Sequence, residues 1–491
     1  MRQVTASERT PFARRLAGVG PPVPRFHPVD GRGMFPIGAL AGSCSEMKAL
    51  AHRGEALAAT LLLLAPAMWN GFPFLQYDSG GYLARWFEGY LVPSRSTVYG
   101  LFAVAGWPLD FWPVMLLQAA AAVWIISLVL RVRGLGGRPL ALLGTVAVLA
   151  ATTSLPWIAG IVLTDIFAGT AVLALYLLLF APAALSRRET TGLVLLVGFS
   201  AATHSATLAV LMAIVAAAAL ARLFLRDLLP LAALGRGAGA LVLGVTMLLG
   251  ANFALSGQLA WTPGGYGIVF ARMMEDGIVA RYLQDHCPNP KLRLCPYRSK
   301  LPSTADQFLW AGGPFDELGG FAGLGDEMRT IVLESLAEYP AAQVETAIAA
   351  SAEQLVKVAN GEGVITQLWH TYGIIERYMP AVVPAMRAAR QQHGEVSFRA
   401  LNKVQVPVAL ISMLLLPVIV LAGRGEYGDL RLLAATVIVA LLANAVVCGV
   451  LSNPHDRYGA RLAWIATFAV ALVPMRYAIR QPWRTTAGAE A

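Results

Sequence analysis

From residue 55 onward, long apolar runs alternate with short polar ones. The first run gives way abruptly to Gln76-Tyr77-Asp78-Ser79-Gly80-Gly81-Tyr82. A bilayer core of about 30 Å takes roughly 20 apolar residues per helix. On that measure spans are predicted at 55–74, 112–131, 139–156, 159–182, 190–204, 206–225, 238–256, 403–423, 431–451 and 461–479. The fold class expected is an all-α polytopic membrane protein of about ten transmembrane helices.

The connecting segments differ in kind. Residues 75–111 form a first loop whose second half, Thr97 to Phe111, is apolar and aromatic but too short to cross, so an interfacial helix lying on the membrane is expected there. Residues 257–402 carry Pro, Gly and charge at the level of a soluble domain, and Asp326 to Ala359 reads as two helices separated at Pro340. The chain thus divides into a tail at 1–46, seven spans over 47–256, an α-rich insertion over 257–402, three spans over 403–480 and a short tail at 481–491. The stretch 1–46 sustains no period, resembles no signal peptide and is expected to be disordered. Met47-Lys48, followed by His52, Arg53 and an apolar run, reads as an alternative start; a true cytoplasmic tail is the other reading.

Composition excludes one water-soluble core: 57% of the 491 residues are hydrophobic, 14% are charged, and mean hydropathy is +0.59. The charge then sets direction. Arg131, Arg133 and Arg138 share one loop, Arg187 and Arg188 a second, Arg222, Arg226 and Arg236 a third, Arg424 and Arg431 a fourth, and Arg476, Arg480 and Arg484 lie at the end. The positive-inside rule puts all of these on the cytoplasmic side with Lys48 and Arg53, so the first loop and the insertion face outward. The net charge of +9 reads as topology and anionic-lipid contact, not as a nucleic-acid surface, because no basic stripe is interleaved with aromatics. Cys287 and Cys295 share one loop of the insertion and read as a disulfide of an oxidising compartment. The paired short spacings of a zinc site are missing, and Cys44 and Cys448 stand alone.

Ionisable residues near lipid are costly and are functional candidates. With the orientation above they gather on the outer side. Asp78, beside Tyr77 and Tyr82, follows the first span. Asp165 is expected about two turns inside the fourth. His204 sits between the fifth and sixth spans, and His455, Arg457 and Tyr458 lie in the outer loop between the ninth and tenth, with Arg461 just inside the tenth. Asp78 has the alternative role of a turn cap, and His204 that of a helix-end histidine bonded to a carbonyl. Arg457, and after it Arg461, suits phosphate through its fork of donors, with Arg85 and Arg95 as weaker versions of the same idea. No Gly-x-Ser-x-Gly, P-loop or His-Glu-x-x-His motif occurs.

An acid just past the first span in Tyr77-Asp78-Ser79-Gly80-Gly81-Tyr82, a second acid at Asp165, an outer insertion and Arg457-Tyr458 in the last outer loop resemble the GT-C superfamily of integral-membrane glycosyltransferases. The resemblance covers the span arrangement from about Lys48 onward, on short motifs, and the first loop has no Asp-x-Asp or Glu-x-Asp pair. It implies a multi-pass protein of a bacterial-type inner (plasma) membrane that serves the cell envelope. Such a protein would move a sugar, with inversion, from a polyprenyl-phosphate donor to a lipid or glycan acceptor. Asp78 would be the general base with its pKa raised by low-dielectric surroundings, and Arg457 would stabilise the departing phosphate. Asp165 would orient the acceptor or, with Asp78, hold magnesium or manganese. Two other classes compete. A lipid or small-molecule transporter predicts midplane charges and internal repeats, neither of which is found. An acyltransferase or polymer ligase would make His204 and His455 its principal residues.

Overall fold

The computed structural model describes residues 37–480, save 139, 225, 228, 263 and 424–427. Among these the chain is helical and contains no strand. It begins with α1 (Ile37–Asn70), α2 (Tyr77–Glu88), α3 (Thr97–Val104), α4 (Trp112–Val132), α5 (Ala141–Thr152) and α6 (Leu155–Ala159). It continues with α7 (Asp165–Phe180), α8 (Arg187–Thr203), α9 (Ser205–Ala221) and α10 (Leu231–Ser256). The insertion holds α11 (Gly265–Glu275), α12 (Ile278–His286), α13 (Ala305–Trp310), α14 (Pro314–Glu317), α15 (Gly320–Glu338), α16 (Pro340–Val356), α17 (Trp369–Tyr378) and α18 (Val383–Ala388). Last come α19 (Arg399–Ala422), α20 (Gly428–Leu451) and α21 (Asp456–Arg480).

Among the described residues five stretches are long and apolar enough to cross a membrane: Trp112–Val132, Leu231–Ser256, Arg399–Ala422, Leu430–Leu451 and Asp456–Tyr477. With the composition, they make this an α-helical membrane-embedded protein. Shorter apolar helices, α5, α7 and α9, accompany them. Of these, α7 is the hub, its side chains from Asp165 to Leu179 all buried. An element apolar on every face must be surrounded, and α4, α8, α10 and α21 pack around it.

Several boundaries differ from the sequence pattern. Of the expected tail over 1–46, residues 37–46 belong to α1, while residues 1–36, and the tail 481–491, lie outside the described residues. The run 139–156 is broken at Thr153 into α5 and α6, because Pro156 opens a new helix and cannot continue the old one. The apolar half of the first loop forms α3, which buries Thr97, Val98, Tyr99, Gly100 and Ala103 against α2, α8 and α10 and leaves Leu101 exposed, and a 3-10 turn, Trp107–Leu109, follows it.

Over 257–402 the chain makes two different structures. Residues 270–339 build their own core around Phe270, Tyr282, Phe308 and Met328, and Cys287 is bonded to Cys295 within it. The two helices expected to part at Pro340 are α15 and α16. Beyond them Leu368, Ile374, Met379 and Met386 join the main core instead. Gln391 fastens this return: its backbone N–H donates to Asn70 Oδ1 (2.8 Å), and its amide both accepts from Leu75 N–H (3.0 Å) and donates to Leu75 O (2.7 Å). Asn70, an isolated polar residue of the first apolar run, is thereby satisfied.

Candidate functional site

The loop after α1 and the loop before α7 are joined by backbone. Phe74 and Ile161 form an isolated parallel bridge, with Phe74 N–H donating to Gly160 O (2.9 Å) and Val162 N–H to Phe74 O (3.0 Å). Ser79 adds a third tie, its hydroxyl donating to Val162 O at 2.8 Å. Gln76 caps α2 by accepting from Asp78 N–H at 2.7 Å, and Ser79 closes the capping box. The two glycines of the motif are explained by close approach. A Cβ on Gly80 would sit 2.6 Å from Thr371 Cα of α17, and one on Gly81 would press on the Arg95 side chain.

Asp165 is not two turns inside a helix. Residues 160–164 are non-helical and Asp165 is the first residue of α7, where unpaired backbone N–H groups and the helix dipole favour a carboxylate. Arg457, in the first turn of α21, reaches both acids. Its Nη1 donates to Asp78 Oδ2 at 2.6 Å, and its Nε lies 3.0 Å from Asp165 Oδ2. The second approach is a charge contact whose angle leaves Nε without a directed hydrogen bond. Asp165 Oδ1 has no hydrogen-bond partner although the residue is 2% exposed.

Arg95 donates to the other oxygen of Asp78 and lies over the Tyr82 ring. Asp78 therefore sits between two guanidiniums. Burial alone would push its carboxyl up, but Arg95 and then Arg457 outweigh that and hold it at about 2. The expectation of a raised value is corrected: low dielectric strengthens the attraction to two cations more than it penalises the charge. Tyr77, half exposed beside Asp78, has its hydroxyl pushed up to about 12 by burial and by the Glu362 and Asp78 carboxylates.

Arg85 is not at this site. It is 1% exposed and braces the turn between α2 and α3, donating to Thr97 Oγ1 at 2.8 Å and to Val92 O. Arg461 lies one turn below Arg457, fully buried. It donates to Asn444 Oδ1 (2.7 Å) and Cys448 Sγ (3.3 Å) and lies 3.3 Å from His204 Nδ1. His204 is the junction between α8 and α9, and the Tyr458 ring lies beside both Arg457 and Arg461. His455 bonds Glu362 through Nδ1 at 2.5 Å and faces Asp306 of α13 at 3.6 Å, so it ties the rim to the separate core of the insertion. Glu362 also accepts from Arg457 N–H at 2.8 Å.

Glu362 carries no motif, and sequence reasoning missed it. The signal available was its setting in Gly361-Glu362-Gly363, a tight loop around an acid. Both glycines have positive φ, and a Cβ on Gly361 would lie 2.1 Å from the Phe398 ring. Beside this loop is a cleft whose lining includes Trp157, Phe398, Asp165, Glu362 and Arg457.

No family model, curated protein or solved structure matches this chain. Function is therefore argued from the site itself. Two carboxylates share one guanidinium, with a second guanidinium behind them. An arginine fork can hold a phosphate, and a carboxylate beside it can accept a proton. Arg457 lies between Asp78 and Asp165, in the place that a divalent cation held by both would take. Among the described residues no group of three His, Cys, Asp or Glu is arranged around a metal.

Proposed function

We propose that this protein is a membrane glycosyltransferase of the GT-C kind, moving a sugar from a polyprenyl-phosphate donor to a hydroxyl acceptor on the extracytoplasmic face. The observation that carries the reading is the bridge Asp78–Arg457–Asp165, drawn from three distant parts of the chain to one rim of a membrane-embedded bundle. The orientation proposed with it is ten spans, with the basic loops in the cytoplasm and Asp78 and Glu362 outside. A prenyl chain then stays in lipid while its phosphosugar head meets the rim.

With Arg95 and Arg457 bonded to it, Asp78 is ionised but a weak base. An entering phosphate competes for the donors of Arg457 and Arg95, and each hydrogen bond it draws away returns basicity to Asp78. Asp78 then takes the proton of the acceptor hydroxyl as its oxygen bonds to the anomeric carbon. The bond from that carbon to the phosphate oxygen breaks, and the electron pair leaves on the lipid phosphate, held by Arg457. Donor binding is thus what arms the base.

The test is purified protein in lipid with a panel of polyprenyl-phosphate sugars, read as released polyprenyl phosphate and as transferred sugar. Asp78→Asn and Arg457→Ala should each lose at least about a hundredfold. Full transfer by Asp78→Asn would remove it as the base. No turnover of any donor, together with uptake into proteoliposomes, would replace the reading with transport.

A further inference from the structure

The transfer reading leaves the cleft beside the bridge without an occupant. Phe74, Trp157, Ile161, Leu163 and Phe398 make one side of it apolar. Trp157 and Phe398 meet edge to face with centroids 4.8 Å apart, and both are partly exposed.

The polar end is formed by Asp165, Glu362 and Arg457. Asp165 is almost wholly buried, yet its Oδ1 accepts nothing. An acceptor left dry and unpaired is costly, so an occupant that supplies a donor is favoured there. Two carboxylates against one guanidinium, itself shared with Asp78, favour a neutral hydroxylated ligand over a second phosphate. Aromatic walls favour a flat C–H face. A sugar ring has both properties, with hydroxyls on its rim and C–H groups on its faces.

We propose that this cleft is the acceptor site and that it holds a neutral monosaccharide ring, seated against Trp157 and Phe398, with one hydroxyl donating to Asp165 Oδ1. The assignment rests on the transfer reading for the word acceptor, but the binding itself does not require a donor. Gly361 keeps the wall in place, since any side chain there would enter the Phe398 ring.

The experiment is equilibrium binding of radiolabelled methyl glycosides of glucose, galactose, mannose and arabinose to the protein in nanodiscs, with farnesyl phosphate as competitor. At least one glycoside should bind saturably. Its affinity should fall at least tenfold in Trp157→Ala and in Phe398→Ala, hold in Trp157→Phe, and resist farnesyl phosphate. In turnover the same two alanine variants should raise KM for that glycoside tenfold while KM for the donor moves less than twofold. Absence of glycoside binding, its displacement by farnesyl phosphate, or a rise in donor KM instead would overturn the proposal, the last two giving the cleft to the prenyl chain. Trp157-dependent glycoside binding in a protein that turns over no lipid-linked sugar would uphold the cleft as a carbohydrate site and overturn the transfer reading alone.

Discussion

Arg457 Nη1 donates to Asp78 Oδ2 at 2.6 Å across 379 residues of sequence, and the same guanidinium faces Asp165. Removing it strands two mostly buried carboxylates opposite each other. Arg457→Ala is expected to cost about 3–5 kcal/mol, read as a lowered unfolding temperature in detergent. Arg457→Lys keeps the charge but not the fork, so it should recover much of that stability and little of the transfer activity. Equal loss of both in the two variants would contradict a bridging role.

Gly80 and Gly81 should separate in their effects. At Gly80 the added methyl meets backbone that cannot yield, so Gly80→Ala should destabilise by about 1–3 kcal/mol. At Gly81 it meets the Arg95 side chain 3.2 Å away, which can shift at the expense of its bond to Asp78. Gly81→Ala should therefore leave the unfolding temperature nearly unchanged while lowering turnover. Thermal melts and transfer assays on the pair make the comparison.

The disulfide closes a short loop, with a sequence separation of 8 residues between Cys287 and Cys295. Chain-entropy arguments give about 2–3 kcal/mol for such a loop. Reduction, or Cys287→Ala with Cys295→Ala, should speed proteolysis within 270–339 and leave the helices around α7 protected. Mass-spectrometric mapping of the cut sites checks this.

His455 makes the attachment of the insertion sensitive to pH. Burial and Arg457 disfavour its charged form, but the bond to Glu362 and the Asp306 carboxylate prevail, so its value lies above the ordinary one. Lys357 also approaches this turn, bonding the carbonyl of Pro454 at 3.0 Å, and the Tyr458 ring stands edge-on to the imidazole. A group raised on folding contributes fully below its unfolded value, about 6.5, and that contribution fades as pH rises through the folded one. Hydrogen exchange in α13 should therefore quicken as pH climbs above the usual histidine range. In His455→Gln it should be quicker already and show no such step.

What the sequence could and could not reveal follows from the range of each interaction. The apolar runs announced the helices because burial in lipid acts residue by residue. Asp78, Asp165 and Arg457 stood out because charge at those positions needs an explanation. Arg85 and Arg95 were indistinguishable by composition. The turn between α2 and α3 decides between them, folding Arg95 back under Gly81 while Arg85 is spent on Thr97 and Val92. Glu362 and the Trp157–Phe398 wall were illegible because their partners lie far away in sequence, at Arg457, at His455 and across α6 and α19. The start of α7 was misjudged for a related reason: residues 160–164 are apolar like a helix, but their backbone is committed to Phe74.

That commitment at Phe74 and Ile161 means the gap between the two acids is gauged by main-chain atoms. Side chains around the rim can be exchanged for others, altering which molecules are admitted, while the reach that Arg457 must cover stays the same.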